Sequence, residues 1–208
     1  MLSIGIVGLP NVGKSTLFNA LTKQSVPAEN YPFCTIDPSV GIVPVPDPRL
    51  TQLSALSKSG KTIPAVVQFT DIAGLVKGAS EGEGLGNKFL SHIREVEAIA
   101  EVVRVFEDKD IIHVHNTIHP LHDIEVINLE LILADMETVT KRINGIQKEL
   151  KRGEEAIAKE HEVLKKIEKT LTAGKHISME EYNADEQKIT KGLHLLSAKP
   201  ILYILNTK

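Results

Sequence analysis

The sequence predicts an α/β fold in which a mostly parallel sheet is flanked by helices and an antiparallel helical hairpin is inserted between two strands. Three observations carry this prediction. The apolar run Ser3–Val7 is followed at once by a glycine-rich loop and then by residues with helical spacing. Further strand-like runs at 64–70, 101–106 and 200–205 alternate with helical segments. Beyond residue 123, apolar residues recur at alternating steps of four and three among charged ones, which is typical of a coiled coil.

The glycine-rich loop Gly8–Thr16 matches the phosphate-binding pattern G-x-x-x-x-G-K-[ST] at every constrained position. Because it lies between a strand-like run and a helical one, it indicates the P-loop of a nucleoside triphosphatase (NTPase). Lys14 is expected to reach the β- and γ-phosphates, and the Ser15 hydroxyl is expected to bind Mg²⁺. The predicted nucleotide-binding residues of the loop are Asn11, Val12, Gly13, Lys14, Ser15 and Thr16.

Proline is dense between residues 25 and 48, so this stretch is predicted to be irregular. Within it, Asn30–Ile36 lies where a nucleotide-sensing switch loop is expected. Thr35 is the predicted second hydroxyl ligand of Mg²⁺ and a contact to the γ-phosphate. The alternative is a proline-stiffened loop with an incidental threonine.

A second switch is predicted after the strand-like run at 64–70, where Asp71 and Gly74 form the pattern D-x-x-G. An aspartate at this position can support Mg²⁺ through water, while the glycine N–H can contact the γ-phosphate. The pattern is weak alone and gains its meaning from the P-loop. Residues 77–86 contain too many glycines for a stable helix and are predicted to be a loop.

The other strands and helices before residue 123, and the last strand, are predicted from turn, capping and periodicity signals. Proline inside Gly41–Val45 predicts an edge strand. Asp47–Leu56 is predicted to be a helix with an aspartate cap and a proline in its first turn. A further helix is predicted from about Asn87 to Ala100. Glu101–Phe106 is predicted to be a strand, and Pro200–Leu205 a buried one.

The coiled-coil seam predicts one long helix from Asp123 to about Leu171. Its apolar residues are Ile132, Met136, Val139, Ile143, Ile146, Leu150, Ile157, Leu164 and Leu171. A turn at 172–175 and a capping box at Ser178–Glu181 then predict a second helix.

The predicted organisation is a nucleotide-binding domain at 1–127, a helical hairpin insertion at 128–198 and a return strand at 199–208. Two roles remain open for the hairpin. It is either an arm that contacts a partner or nucleic acid, or a structural buttress with a solvated face.

Composition places the chain among ordinary soluble proteins. Its net charge of −3 excludes nucleic-acid binding through bulk charge. The single cysteine, Cys34, cannot form an internal disulfide and fits a reducing compartment, so a cytoplasmic location is expected. No signal peptide and no membrane anchor are expected.

Five histidines lie between residues 92 and 122. On a helix, His115, His119 and His122 would have a spacing that can bind zinc, but Pro120 interrupts it and no cysteine accompanies it. Solvated or core histidines are therefore the favoured interpretation.

Taken together, the motifs resemble the YchF group of Obg-like ATPases, a branch of the translation-associated GTPases. The resemblance rests on Gly8–Thr16, Asn30–Ile36, the run from Asp71 to Asn87, and Ile111–Val114. It implies that the chain is an N-terminal fragment, because family members continue into the rest of the nucleotide domain and a TGS domain.

The resemblance also implies slow hydrolysis. Many GTPases carry a water-orienting glutamine directly after D-x-x-G, where this chain has Leu75. An apolar side chain cannot orient water. The family is thought to use a histidine on a mobile loop instead, and the matching residue is His113.

The base-reading motif is implied in the same way. The family has N-x-x-E where guanine readers have N-K-x-D, which favours ATP. Asn206 matches the first position, and Thr207 replaces the lysine. A T-K-x-D variant beginning at Thr207 would keep GTP open.

The resulting expectation is a Mg²⁺-dependent NTPase that hydrolyses ATP rather than GTP as a slow switch, with the ribosome as partner and with RNA contact through the hairpin. Two alternatives are a GTP-specific enzyme and a nucleotide-gated binding module in which hydrolysis is incidental. A metabolic P-loop kinase is less favoured, since no acceptor-binding signature is present.

Overall fold

The computed structural model describes residues 1–23, 39–72, 85–108, 111 and 117–207. Its strands are β1 Leu2–Val7, β2 Ser39–Pro44, β3 Val66–Asp71, β4 Ala98–Arg104 and β5 Ile201–Asn206. Its helices are α1 Lys14–Thr22, α2 Pro48–Ser57, α3 Leu85–Glu95, α4 Pro120–Leu150, α5 Glu155–Thr172 and α6 Ala184–Gly192, with a short 3₁₀ turn at Ile177–Met179. The α/β class is therefore confirmed.

The strands form one sheet in the order β2-β3-β1-β4-β5. All neighbours are parallel except β2, which runs antiparallel to β3 at the edge. The prediction of a mostly parallel sheet with an edge strand near Gly41 is confirmed. Parallel pairing brings the carboxyl ends of β1, β3, β4 and β5 to the same edge, and Ile6 lies opposite Asp71 in the register. The glycine-rich loop leaves β1 at that edge.

A single apolar cluster joins the sheet to α1, α3 and the first half of α4. Its fully buried members include Ile6, Val7, Phe18, Ile72, Ile93, Ile127 and Leu131. Burial of each such side chain stabilises the fold by about 1.5–3 kcal/mol. This cluster fixes the positions of the strand ends that carry the candidate site.

The boundary between α3 and β4 differs from the prediction. The helix expected to reach Ala100 ends at Glu95, and the strand expected at 101–106 covers Ala98–Arg104. Residues 98–101 pair with Ile4–Val7 of the central strand, and Ile99 and Ala100 are buried. Tertiary pairing thus takes precedence over the helical spacing of these small apolar residues.

The prediction of one continuous helix at 123–171 is wrong. The chain turns between Leu150 and Glu155, with Gly153 at φ +79°, and α5 runs back along α4. The two helices are joined by Arg142, whose Nε lies 2.6 Å from Oε1 of Glu160. The seam of apolar residues continues across this turn at a step of seven, so its period cannot reveal the break. The helix end predicted near residue 172 is confirmed.

The second half of the hairpin also differs from the expectation. The predicted capping box at Ser178–Glu181 falls on the 3₁₀ turn, whereas Asn183 and Glu186 form the capping box that begins α6. A second apolar cluster joins α4, α5 and this region. Its buried members are Ile132, Val139, Ile143, Ile146, Val163, Leu164, Ile167, Leu171, Ile177 and Leu195.

The strand at 200–205 is confirmed, but its predicted burial is wrong. In the described sheet β5 has β4 as its neighbour on one side and lies at the edge, so Leu202 and Leu205 are 62% and 59% exposed. An apolar run predicts a strand without revealing its place in the sheet.

Two further findings concern the described ranges alone. No helix in these ranges is both long enough and apolar enough to cross a bilayer. No group of three or more acidic, histidine or cysteine side chains in these ranges is arranged to hold a metal ion. His115 of the possible zinc set lies outside the described residues.

Candidate nucleotide-binding site

The loop after β1 owes its path to glycine at two positions. Gly8 has φ +152°, and a Cβ there would lie 2.6 Å from the carbonyl oxygen of Val102. Gly13 has φ +100°, and a Cβ there would collide with Nδ2 of Asn206. Side chains at either position would push the loop away from β4 or from the end of β5. The motif glycines are therefore required by close approach to the sheet.

Helix α1 begins at Lys14 with its first turn open. Gly13 is its N-cap, no side chain caps the described helix, and its first turn contains no acidic residue. The first N–H groups of a helix have no partner within the helix, and the helix dipole favours negative charge at this end. The start of α1 is thus a suitable place for a phosphate group.

The Lys14 side chain is folded into this loop. It is 8% exposed, and its Nζ donates a hydrogen bond to the carbonyl oxygen of Leu9 at 2.8 Å. Burial lowers the pKa of Lys14 to about 8, and the nearby Asp71 carboxylate partly opposes that shift. An anion bound beside the ammonium group would stabilise its charged form.

Ser15 and Asp71 form the second pair of the site. The Ser15 hydroxyl donates to Oδ2 of Asp71 at 2.8 Å, although the residues are 56 positions apart. Asp71 is 2% exposed, and its Oδ1 has no hydrogen-bond partner among the described residues. Burial raises the pKa of Asp71, while Ser15 and Lys14 act in the opposite direction. A hydroxyl beside a buried, incompletely bonded carboxylate is an oxygen donor set that fits Mg²⁺.

Asn206 contacts the same loop from the end of β5. Its Nδ2 donates to the carbonyl oxygen of Val12 at 2.8 Å. This amide hydrogen bond fastens the loop to a strand that is 194 residues away in sequence. Thr207 follows it and is exposed.

The structure brings most of the predicted site residues to one edge of the sheet. These are Asn11, Val12, Gly13, Lys14, Ser15, Thr16, Asp71, Asn206 and Thr207. Thr35, Gly74 and His113 lie outside the described residues, as does Leu75. Their predicted roles remain predictions.

Two contributors to this edge were not anticipated from the sequence. The Leu9 carbonyl accepts the Lys14 hydrogen bond, and no sequence signal distinguishes one main-chain carbonyl from another. Arg104 at the end of β4 is buried and donates to carbonyl groups of the chain that follows it. An arginine inside an apolar run is the available signal, because a buried guanidinium needs several acceptors.

Comparisons with known proteins agree with this geometry. A family model described as "50S ribosome-binding GTPase" matches residues 3–135. "Ribosome-binding ATPase YchF" of Bacillus subtilis strain 168 is 57% identical over 205 residues, which cover 99% of this chain and 56% of that protein. "Obg-like ATPase 1" of Oryza sativa subsp. japonica is 48% identical over 206 residues, covering 99% of this chain and 52% of that protein.

A solved structure shows the same arrangement. The YchF GTPase of Schizosaccharomyces pombe matches with a TM-score of 0.78 at 42% identity, over 99% of this chain and 56% of that one. The chain therefore spans about half the length of the relatives it matches. The expected resemblance to YchF-type Obg-like ATPases is confirmed, and the match over residues 3–135 shows that the chain belongs to the 50S ribosome-binding GTPase family.

Proposed function

We propose that this chain is the nucleotide-binding part of a Mg²⁺-dependent NTPase that hydrolyses ATP in preference to GTP and acts as a slow switch on ribosomes in the cytoplasm. One observation carries the proposal: buried Lys14, the Ser15–Asp71 pair and the open start of α1 converge at one edge of the sheet. These are the groups that a triphosphate and a hard divalent cation require.

The proposed Mg²⁺ ligands are Ser15 and Thr35, with Asp71 acting through water. The partnerless Oδ1 of buried Asp71 supports this assignment, because a bound ion or its water shell would satisfy it. When bound, the ion would neutralise charge that develops on the phosphate oxygens during transfer.

In the proposed reaction a water molecule attacks the γ-phosphorus in line, and the bond from that phosphorus to the β-phosphate bridging oxygen breaks. The products are the nucleoside diphosphate and inorganic phosphate, which takes up the hydrogen atoms of the water. Lys14 and the N–H groups of the loop hold the β- and γ-phosphates, and the Gly74 N–H contacts the γ-phosphate. His113 orients the water, because Leu75 cannot. A loop histidine in place of an adjacent glutamine accounts for a slow rate.

Asn206 and Thr207 are proposed to face the base. Thr207 stands where guanine readers have lysine, which favours ATP. The two curated relatives named above are called ATPases, whereas the solved Schizosaccharomyces pombe structure is called a GTPase. The proposed division at 1–127, 128–198 and 199–208 is supported in outline by the two apolar clusters, and the sheet cluster also takes in Leu131, Ala134 and Leu196 of the proposed insertion. The ribosome is proposed as partner on the names of relatives, and the hairpin as a possible RNA contact.

The test is calorimetric titration of the full-length chain with ATP and with GTP in the presence of Mg²⁺. We expect tighter binding of ATP, and a Lys14→Met control that binds neither nucleotide. Tight GTP binding with negligible ATP binding would overturn the base preference. Hydrolysis is then measured with and without ribosomes. If ribosomes bind in a nucleotide-dependent way without accelerating hydrolysis, the binding-module alternative is favoured over an enzyme.

A further inference from the structure

The distal half of α4 forms one side of an arm. The apolar cluster of the sheet includes residues of α4 up to Ala134, and the helix continues for about 24 Å from there to Leu150, at 1.5 Å per residue. Along this length α4 packs against α5, and its buried side chains in that contact are Val139, Ile143 and Ile146. The side of α4 that faces away from α5 is exposed.

Cations are aligned on this exposed side. At about 100° per residue, the side chains of Lys141, Asn144 and Lys148 lie within about 60° of one another and nearly opposite the buried contact with α5. All three are exposed. Lys151 and Arg152 are also exposed and follow directly after the helix, at the tip of the arm. We call these five residues the back face of α4.

Most of this positive charge has no acidic partner. Lys141 pairs with Glu137, at the end of the back face that is nearer to the sheet. Among the residues that the structure describes, no ion pair involves Lys148, Lys151 or Arg152. The helix dipole favours cations in a last turn, so the charge by itself does not identify a partner.

The glutamates near the tip lie off the back face. Glu149 is half-buried on the side of α4 where Arg142 lies, and its charge acts on that arginine. Glu155 pairs with Lys159 at 2.8 Å on the returning helix, and Glu154 is the N-cap of that helix. The back face therefore presents cations to solvent over most of its length.

Gly145 lies beside this row without an internal reason to be glycine. A Cβ at this position would meet no atom within 4 Å, so no contact in the described part of the chain requires its absence. Glycine in the interior of a helix is destabilising relative to alanine. Its lack of a side chain lets another molecule approach the main chain of α4 between Lys141 and Lys148. This observation is independent of the charge and also points to a partner.

The chemistry of the back face fits an RNA backbone. Its residues are cations and one amide, and none of them is apolar, whereas the centre of a protein–protein interface is usually apolar. No aromatic residue lies between positions 137 and 152, so stacking on bases is not available there. A row of ammonium, guanidinium and amide groups suits phosphate and ribose oxygens, which are contacted without reading the sequence.

We propose that the back face of α4 binds the sugar–phosphate backbone of ribosomal RNA and that Gly145 allows the RNA to lie close to the helix. The contact supplies affinity through phosphate charge and carries no base specificity. This inference rests on the proposed function, in which the ribosome is the partner.

The first test measures binding of the full-length chain to ribosomes by co-sedimentation over a series of salt concentrations, with ATP and Mg²⁺ present. The variant combines Lys148→Gln, Lys151→Gln and Arg152→Gln, all at exposed positions. We expect its Kd to rise about tenfold or more near 0.1 M salt. The slope of log Kd against log salt should fall by about 2–3, because each phosphate contact contributes about 0.7–0.9.

The matched control combines Lys159→Gln, Lys165→Gln and Lys169→Gln at exposed positions of α5. It changes the net charge by the same amount, so it separates the position of the charge from its total. Its ribosome Kd should stay within about twofold of wild type. Both variants should keep the wild-type melting temperature and ATP affinity, because the substituted side chains are exposed and lie outside the nucleotide site.

Gly145→Gln tests the close approach without changing any charge. Glutamine is a better helix former than glycine, so the variant should melt at or above the wild-type temperature. Its side chain stands between the cations of the back face, and we expect the ribosome Kd to rise about fivefold. Ala158→Gln, at an exposed position of α5, is the control with unchanged binding. Unchanged binding of Gly145→Gln would contradict the close approach of RNA to α4.

Protein-free ribosomal RNA identifies the partner. Wild type should bind it, and the variant with three glutamines on the back face should lose affinity for it by the same factor as for ribosomes. Loss of ribosome binding by this variant, without any binding of wild type to the free RNA, would overturn the RNA contact, since the back face would then meet an acidic protein.

The remaining contradictions separate this inference from the function on which it rests. Wild-type ribosome binding that the back-face substitutions leave unchanged would overturn the RNA contact and leave the proposed function intact. A full-length chain that binds no ribosomes in any nucleotide state would remove the ribosome from the proposed function, and this contact with it.

Discussion

The side-chain amide of Asn206 donates a hydrogen bond to the main-chain carbonyl of Val12, so the end of β5 holds the P-loop directly. The same amide lies against Gly13, where a Cβ would collide with it. The residue expected to face the base thus also holds in place the loop that is proposed to bind the phosphates. A contact to the loop affects every nucleotide equally, whereas a contact to the base does not.

Replacing this amide should weaken ATP and GTP binding by the same factor. Asn206→Ala removes a hydrogen bond worth about 1 kcal/mol, so we expect both affinities to fall about five- to tenfold. Calorimetric titration measures the two Kd values, and Tyr203→Phe on the same strand serves as the control with unchanged affinity. A loss confined to one of the two nucleotides would show that the amide reads the base and does not act through the loop.

Lys14 should reduce the stability of the nucleotide-free protein at neutral pH. Its pKa in the folded chain is lowered to about 8 from the ordinary 10.5. The free energy of unfolding is therefore highest above pH 10.5, where the lysine is neutral in both states, and it falls as the pH is lowered from 10.5 to 8. Lys14→Met removes the buried charge and keeps the length of the side chain. We expect it to raise the unfolding free energy by about 1–3 kcal/mol at pH 7 while abolishing nucleotide binding.

Urea unfolding at pH 7 and at pH 10.5, without nucleotide, measures this effect. The gain from Lys14→Met should shrink at the higher pH, where the folded lysine is neutral and half of the unfolded lysine is neutral as well. Lys23→Met, at the C-cap of the same helix, is the exposed control. A Lys14→Met variant that is less stable than wild type at both pH values would contradict the prediction.

Asp135 should be essential for holding the segment between α6 and β5 against α4. Its buried carboxylate accepts hydrogen bonds from the N–H groups of Leu196 and Ser197 at 2.8 Å and from the Ser197 hydroxyl at 2.6 Å. Asp135→Asn keeps the shape but turns an NH₂ group toward at least one buried donor. We expect the unfolding free energy to fall by about 2–4 kcal/mol.

The matched control is Ser197→Ala, which removes the hydroxyl alone and should cost about 1 kcal/mol. Denaturant unfolding gives both values. Nucleotide affinity in the folded variants should not change, because Asp135 lies in α4 and outside the P-loop edge of the sheet. Equal stability of Asp135→Asn and wild type would show that the buried network does not hold this segment against α4.

The parts of the fold that were predictable depend on local sequence. The loop Gly8–Thr16, the proline-marked edge strand and the helix that Asp47 caps are each encoded within a few neighbouring residues. The turn near Gly153 was not predictable, because the apolar seam keeps its period on both sides of it. Its only mark in the sequence is one glycine, which a long helix can also tolerate.

The candidate site also combines parts that are encoded locally with parts that depend on distant contacts. Lys14 and Ser15 are specified by a motif, and Asp71 by the end of a strand-like run. The hydrogen bonds that Asn206 and Arg104 make are to main-chain carbonyl groups. Every residue has such a carbonyl, so the sequence does not indicate which one a side chain will bind. The residues proposed to contact the nucleotide are therefore visible in the sequence, and the contacts that hold them in place are not.

The buried Glu101 in β4 should make the stability of the fold fall as pH rises. Its side chain is fully buried, neither carboxyl oxygen has a partner among the described residues, and burial together with nearby Asp123 raises its pKa to about 8. The unfolded glutamate ionises near pH 4.5. The contribution of Glu101 to the free energy of unfolding is therefore full below that value and is lost progressively as pH approaches 8. The total loss is of order 5 kcal/mol at most.

Glu101→Gln removes the ionisable group and keeps nearly the same volume. We therefore expect the plots of unfolding free energy against pH for the variant and for wild type to cross. At pH 5 the variant should be no more stable than wild type, because the neutral glutamic acid is already tolerated in the core. At pH 8.5 it should be more stable by about 2–4 kcal/mol, because the wild-type protein must then bury a charge or keep a proton that the unfolded chain has lost. Urea unfolding at both pH values gives the comparison. Val103→Ala is the control, because Val103 is a buried residue of the same strand without a titratable group. This variant should lose the same stability at both pH values. A Glu101→Gln curve parallel to that of wild type would show that this carboxyl group does not control the pH dependence.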